Sequence, residues 1–145
     1  MTLNVDHLLH TADTLEAAIL RLTQTPSEDT VLYDLFRNAA IKSFELSLET
    51  TGKLLRKTLK LYTGNPKSVD QLIFNDLFRH AGKHSLLTEE EIERWLAYRA
   101  TRNNTAHDYG EAFAEKTLTI LPNYLVDLRN LAQRMQDIFN GTTTE

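Results

Sequence analysis

The chain has no cysteine among its 145 residues, which removes disulfides, thiolate nucleophiles and cysteine-ligated zinc. Histidine and carboxylate side chains are the only metal ligands left. Glycine and proline are scarce, at five and three, and no alternating run of β-branched residues occurs, so a β-rich architecture is not expected. No stretch of about eighteen apolar residues is present, and the first residues lack the basic-then-apolar order of a secretion signal. The expectation is a cytoplasmic protein with no membrane contact. An excess of positive charge is missing as well: the formal net charge is -4 at pH 7. Wholesale electrostatic capture of nucleic acid is therefore excluded, and any RNA contact has to use a local patch.

Leu, Ala, Glu, Lys and Thr are plentiful, and the length is that of one domain able to build its own core. A single all-α domain over residues 1–140 is expected, with residues 141–145 a frayed tail. Val5, Leu8, Leu9, Ala12, Leu15, Ile19 and Leu22 recur at three- and four-residue steps, which predicts a first amphipathic helix from about Asn4 to Thr23. Pro26 then interrupts the pattern, and Ser27 is the expected N-cap of a second helix. Its apolar face runs through Leu32, Leu35, Phe36, Ala39, Ala40, Phe44, Leu48, Leu55, Leu59 and Tyr62 to the break at Gly64-Asn65-Pro66. Some 35 residues of helix would span about 50 Å. Gly52, inside it, marks a bend or a close crossing.

Three pairs have the spacing of a capping box: Ser68 with Gln71, Thr88 with Glu91, and Asp108 with Glu111. The first predicts a third helix ending near Gly82, the second a fourth reaching Arg102, and the third a last helix through Met135 and Ile138 with a kink or restart at Pro122. Five amphipathic helices with short links predict an up-and-down bundle.

Residues 102–109 hold a fixed cation, two amides, an imidazole and a phenol. On an unbroken helix Arg102 and His107 would lie about 140° apart, so they converge only if the helix breaks between them. Asn103-Asn104-Thr105 are poor helix formers and the cap at Asp108 supplies a fresh start, so a break between Arg102 and His107 is expected. The free amides of the following helix start would then help hold a phosphate beside Arg102. RNA cleavage without metal needs an acid, a base and fixed positive charge, and His107 and Arg102 are suited to these parts.

The spacing of Arg102, Asn103, His107 and Tyr109 resembles the R-x4-H-x-Y motif of HEPN-domain ribonucleases, and of HepT-like toxins and nucleotidyltransferase substrate-binding subunits in particular. The resemblance covers most of the chain from the second helix onward and implies a HEPN-like bundle. It implies a metal-independent endoribonuclease toxin giving 2′,3′-cyclic phosphate ends, needing no cofactor, with Arg102 and His107 catalytic and Asn103 supporting. It further implies a homodimer whose two motifs face one cleft, and a small nucleotidyltransferase antitoxin that silences the enzyme through AMPylation of Tyr109. The same resemblance admits a second function, a non-catalytic subunit presenting substrate to a two-component nucleotidyltransferase. Plainer roles are a surface ion pair for Arg102 with Glu91, Asp108 or Glu111, a backbone hydrogen bond for His107, helix capping for Asn103 and bundle packing for Tyr109. A helical adaptor with an incidental motif is the third reading.

Lys53, Arg56, Lys57 and Lys60 form a basic stripe on the second helix, suited to an RNA backbone or an acidic partner, and equally to a solvated outer face. His80 and His84 are four apart, but no carboxylate completes a metal site and exposure is the expectation. Trp95 and Tyr98 share a face with Arg102, where core packing competes with base stacking.

Overall fold

A computed structural model of the chain describes residues 4–105 and 111–143. Its elements are α1 (Asp6–Gln24), α2 (Thr30–Leu59), a 3-10 turn (Lys60–Tyr62), α3 (Pro66–Asp70), α4 (Phe74–Lys83), α5 (Glu89–Thr105) and α6 (Glu111–Thr143). The all-α bundle expected from the sequence is what forms, with one helix more than the five anticipated.

The extra helix comes from the region between Gly64 and Gly82. The Ser68–Gln71 box does not form; Pro66 opens the five-residue α3, and the Ser68 hydroxyl instead donates to the Asn65 carbonyl at 2.7 Å. Ile73 is extended, with ψ 166°, and α4 starts at the next residue. A broken helix leaves carbonyls without partners. Arg56 bonds two carbonyls of this break, donating from Nη1 to the Val69 carbonyl at 2.6 Å, which also accepts the Leu72 N–H, and from Nη2 to the Leu72 carbonyl at 3.0 Å. Gly52 is the site of a close crossing: a Cβ there would stand 3.3 Å from the Phe74 ring at the start of α4.

Other boundaries differ in instructive ways. Asp29, not Ser27, caps α2, its carboxylate accepting the Leu32 N–H at 3.3 Å, because a turn closed from the Asp29 N–H to the Pro26 carbonyl carries the helix start two residues on. Leu32 and Leu35, expected inward, are exposed, since α2 begins before the packed part of the bundle. The Thr88–Glu91 box forms reciprocally, with bonds of 3.0 and 3.2 Å. At the end of α4 the left-handed position belongs to Ser85, φ 63°, rather than to a glycine. Leu86 N–H to Ala81 carbonyl and Ser85 N–H to Gly82 carbonyl, 2.9 and 3.1 Å, close the helix around it. Pro122 does not restart α6, which is one helix through Thr143. The proline sits on the exposed side, while Leu121, Tyr124, Leu125 and Leu128 bury the opposite face.

Cross-links fix the directions. Tyr33 of α2 donates to Glu115 of α6 at 2.6 Å, and Ser47 meets the Tyr124 hydroxyl at 2.6 Å further along both, so α2 and α6 run parallel. Arg94 pairs with Asp127 and Glu91 with Arg134, so α5 runs antiparallel to α6. Where these three meet α4, Phe44, Phe78, Trp95, Tyr98 and Tyr124 stack and cross edge to face, with ring centroids 4.8 to 5.7 Å apart. Such pairs contribute about 0.5–1.5 kcal/mol each beyond simple burial.

Candidate functional site

The inward stripe of α5 contains Glu91, Trp95 and Tyr98, all buried, and the next position on that stripe is Arg102. Helical spacing alone therefore turns this arginine toward the bundle just where the core thins. Its side chain keeps 29% exposure, and Nη1 stands 3.7 Å from the Glu45 carboxylate of α2, itself 21% exposed. Of the anticipated carboxylates, Glu91 is not the one it faces; among the described side chains that place is taken by Glu45, and Asp108 lies outside the described residues. Glu91 is engaged elsewhere, in its capping box and with Arg134 Nη1 at 2.8 Å.

α5 carries Asn103, Asn104 and Thr105 in helical conformation, so the break expected between Arg102 and His107 does not fall at these three residues. Asn and Thr have only modestly unfavourable helix propensity, and the packed stripe before them outweighs it. Asn103 is exposed and lines a hollow with Phe74 and Arg99. His107, Asp108 and Tyr109 lie outside the described residues.

The basic stripe divides. Arg56 is committed to the carbonyls of Val69 and Leu72, Lys60 pairs with Asp70 at 2.7 Å, and Lys53 stands 3.8 Å from Glu49. Lys57 is exposed. Two of the four cations therefore fasten α3 to α2. His84 stacks on Tyr62 with centroids 4.6 Å apart, and no cluster of three metal-ligating side chains occurs among the described residues. Trp95 and Tyr98 belong to the core.

Sequence reasoning missed a buried polar centre near the start of α5. Arg94 grips Asp127 through Nε and Nη2, at 2.8 and 2.9 Å, and the Tyr98 hydroxyl donates to the same carboxylate at 2.5 Å. Burial alone would push the Asp127 carboxyl up, but the hydrogen bonds from Arg94 and Tyr98 outweigh it and hold it below the usual carboxylate range. Burial, with the bond to Asp127, drives the Tyr98 phenol well above its ordinary value. A phenol held so firmly protonated, with its proton already donated, is a packing group and no general acid. The signal for this centre was an aspartate in the buried stripe between Tyr124 and Leu128.

Fold and site together define a class: an all-helical bundle with a part-buried arginine closing the inward stripe of one helix, just ahead of a histidine and a tyrosine in sequence. The chain belongs to the nucleotidyltransferase substrate binding protein-like family, whose model matches residues 10–137. It is similar to a Haemophilus influenzae protein named "Probable ribonuclease HepT", 26% identical over 136 residues, covering 84% of this chain and 92% of that one. A solved Haemophilus influenzae structure, described as revealing the fold of a substrate binding domain of a nucleotidyltransferase, superposes with a TM-score of 0.80. It is 23% identical, over 92% of this chain and 99% of that one, and so supports the fold. A Thermus thermophilus structure has the same fold, with a TM-score of 0.63 and 24% identity over 84% of this chain and 98% of its own. None of the described helices is long and apolar enough to cross a membrane.

Proposed function

We propose that this chain is a metal-independent endoribonuclease of the HepT type, the toxin of a toxin–antitoxin pair, acting as a homodimer in the cytoplasm. The observation that carries the reading is the placement of Arg102, a part-buried cation at the end of the inward stripe of α5, five residues before His107. The relative named as a ribonuclease supports it.

In the cleavage step the 2′-oxygen attacks phosphorus as one His107 takes its proton. The bond to the 5′-oxygen breaks, and that oxygen receives a proton from the His107 of the second chain. Products are a 2′,3′-cyclic phosphate and a 5′-hydroxyl. Arg102 stabilises charge on the phosphorane, its planar fork matching two oxygens, and Asn103 supports the phosphate or the imidazole. One histidine must be neutral and the other charged, so the rate is expected to be bell-shaped in pH about the histidine range. Silencing follows when a small nucleotidyltransferase partner transfers AMP to Tyr109: the phenol oxygen attacks the α-phosphorus of ATP, pyrophosphate leaves, and the phenol proton passes to solvent. The added phosphate competes for Arg102.

A second reading, a non-catalytic substrate-binding subunit of a two-component nucleotidyltransferase, is favoured by the family's description. RNA cleavage in EDTA by wild type and His107→Ala, with product ends mapped, separates the two. Cyclic phosphate ends that vanish in the variant support the ribonuclease; no cleavage by unmodified wild-type protein supports the subunit.

A further inference from the structure

Two adjoining hollows open on the face where α2, α4 and α5 meet, and Phe74 and Arg99 line both. One, of about 290 Å³, is bounded on the α5 side by Arg99 and Asn103 and on the other by Ile73, which is 65% exposed. The other, of about 250 Å³, reaches Glu49, Lys53 and Arg56 on α2. Each is close to the lower end of small-molecule pocket volumes, roughly 300 Å³, and is the size for one planar base. Three cations (Lys53, Arg56, Arg99) face one carboxylate (Glu49) along this path, a local balance of +2 on a chain whose formal charge is -4.

Arg99 sits between the hollows in an unusual state. Its guanidinium lies 4.8 Å over the Phe74 ring, and among the described residues no hydrogen bond or ion pair holds its N–H groups. Phe74 is in turn fixed, its ring 4.6 Å from that of Phe78 and close against Gly52. The result is a cationic plate set over an aromatic ring and lining both hollows. Such plates suit a ligand that is both flat and anionic, because guanidinium planes stack on bases and bond phosphate oxygens. Arg56 adds charge held in place, as its donors are bonded to the carbonyls of Val69 in α3 and of Leu72 just after it. The groove also joins Asn103 to the first half of the basic stripe, two features that are far apart in sequence.

We propose that this groove is a subsite for single-stranded RNA, holding nucleotides next to the one cleaved, with a base against Arg99 and the backbone phosphate near Lys53. The inference rests on the ribonuclease reading and deepens it by naming where the strand runs. Glu49 opposes phosphate, which makes the subsite a place where binding can be tuned in either direction.

The test uses His107→Ala protein and a fluorescent single-stranded RNA, so that binding is read by anisotropy without cleavage. Adding Arg99→Ala is expected to raise Kd about tenfold, the loss typical of one stacked base. Arg99→Lys, which keeps the charge and loses the plane, is expected to lie between. Glu49→Gln is expected to tighten binding a few-fold. Arg79→Ala removes an equal charge from an exposed pair with Asp76 outside the groove and is expected to change Kd less than twofold. Thermal unfolding by circular dichroism identifies any variant that fails to fold, and Arg99→Lys then carries the comparison. Unchanged RNA affinity in both Arg99 variants overturns the subsite and leaves the ribonuclease reading standing. Arg99 variants that lose the nucleotidyltransferase partner while binding RNA normally overturn it in favour of a protein surface. RNA cleavage and binding both absent from wild-type protein overturn the two together.

Discussion

Arg94 and Arg102 stand about two turns apart on α5, and each faces a carboxylate on another helix. At Arg94 the contact is bidentate, at 2.8 and 2.9 Å, onto an Asp127 side chain only 6% exposed that a tyrosine also bonds. At Arg102 the nearest separation to Glu45 is 3.7 Å, too long for a hydrogen bond. The first arrangement defines one geometry and closes it to newcomers. In the second, the contact with Glu45 is attraction without a directional bond, and a phosphate offering matched oxygens can compete with that contact. Two arginines of one helix thus differ in how closely a carboxylate of a neighbouring helix grips them.

Cutting the tight pair should show the largest effect. Asp127→Ala leaves the buried Tyr98 hydroxyl without an acceptor and frees Arg94, and is expected to cost about 2–3 kcal/mol in urea unfolding. Arg94 is partly exposed and can rehydrate, which keeps the loss below that of a fully buried pair. Acid should erode the same end. In Glu91, as in Asp127, burial opposes ionisation, but hydrogen bonds from Arg134 and Thr88 outweigh it and hold the carboxyl below the usual range. Folded values depressed below the unfolded ones, about 3.9 for Asp and 4.3 for Glu, mean that the stabilisation is complete above about pH 5. It is lost as pH falls through the folded values. Urea midpoints are expected to be level from pH 7 to 5 and to drop below about pH 4, with a shallower drop in Asp127→Asn.

The contrast between the two arginines also explains what the sequence could reveal. Apolar spacing located the long helices because burial of one face governs them, and the Thr88–Glu91 box was legible because both partners are local. The spacing to His107 singles out Arg102, yet of the carboxylates near it in sequence Glu91 is bonded elsewhere, and a carboxylate that it does face, Glu45, lies across the bundle on α2. The same limit hid Arg94–Asp127–Tyr98 and the role of Arg56, whose acceptors are backbone carbonyls at the junction of α3 and α4. Charged residues reach across a bundle to whatever the fold brings near, and no periodicity encodes that. Phe74 and Arg99 are unremarkable in sequence for this reason too: an apolar residue and a basic one, 25 positions apart, meet only where α4 packs on α5.

A smaller effect sharpens the contrast most directly. Double-mutant cycles isolate the energy between two side chains from the consequences of removing each. Arg94→Ala with Asp127→Ala is expected to give a coupling of about 1.5–3 kcal/mol, as for bonds to a charged group in a sheltered site. Arg102→Ala with Glu45→Ala is expected to give about 0.5 kcal/mol or less, since both side chains are in part hydrated and the separation exceeds bonding distance. Adding 0.5 M salt should nearly abolish the second coupling and leave most of the first, because the screening length falls to about 4–5 Å and acts on charges that water can reach. Equal couplings for the two pairs would mean that Arg102 is a structural arginine like Arg94. A coupling near zero, alongside loss of RNA cleavage in Arg102→Ala, would mean that its position is kept for a ligand and contributes little to the fold.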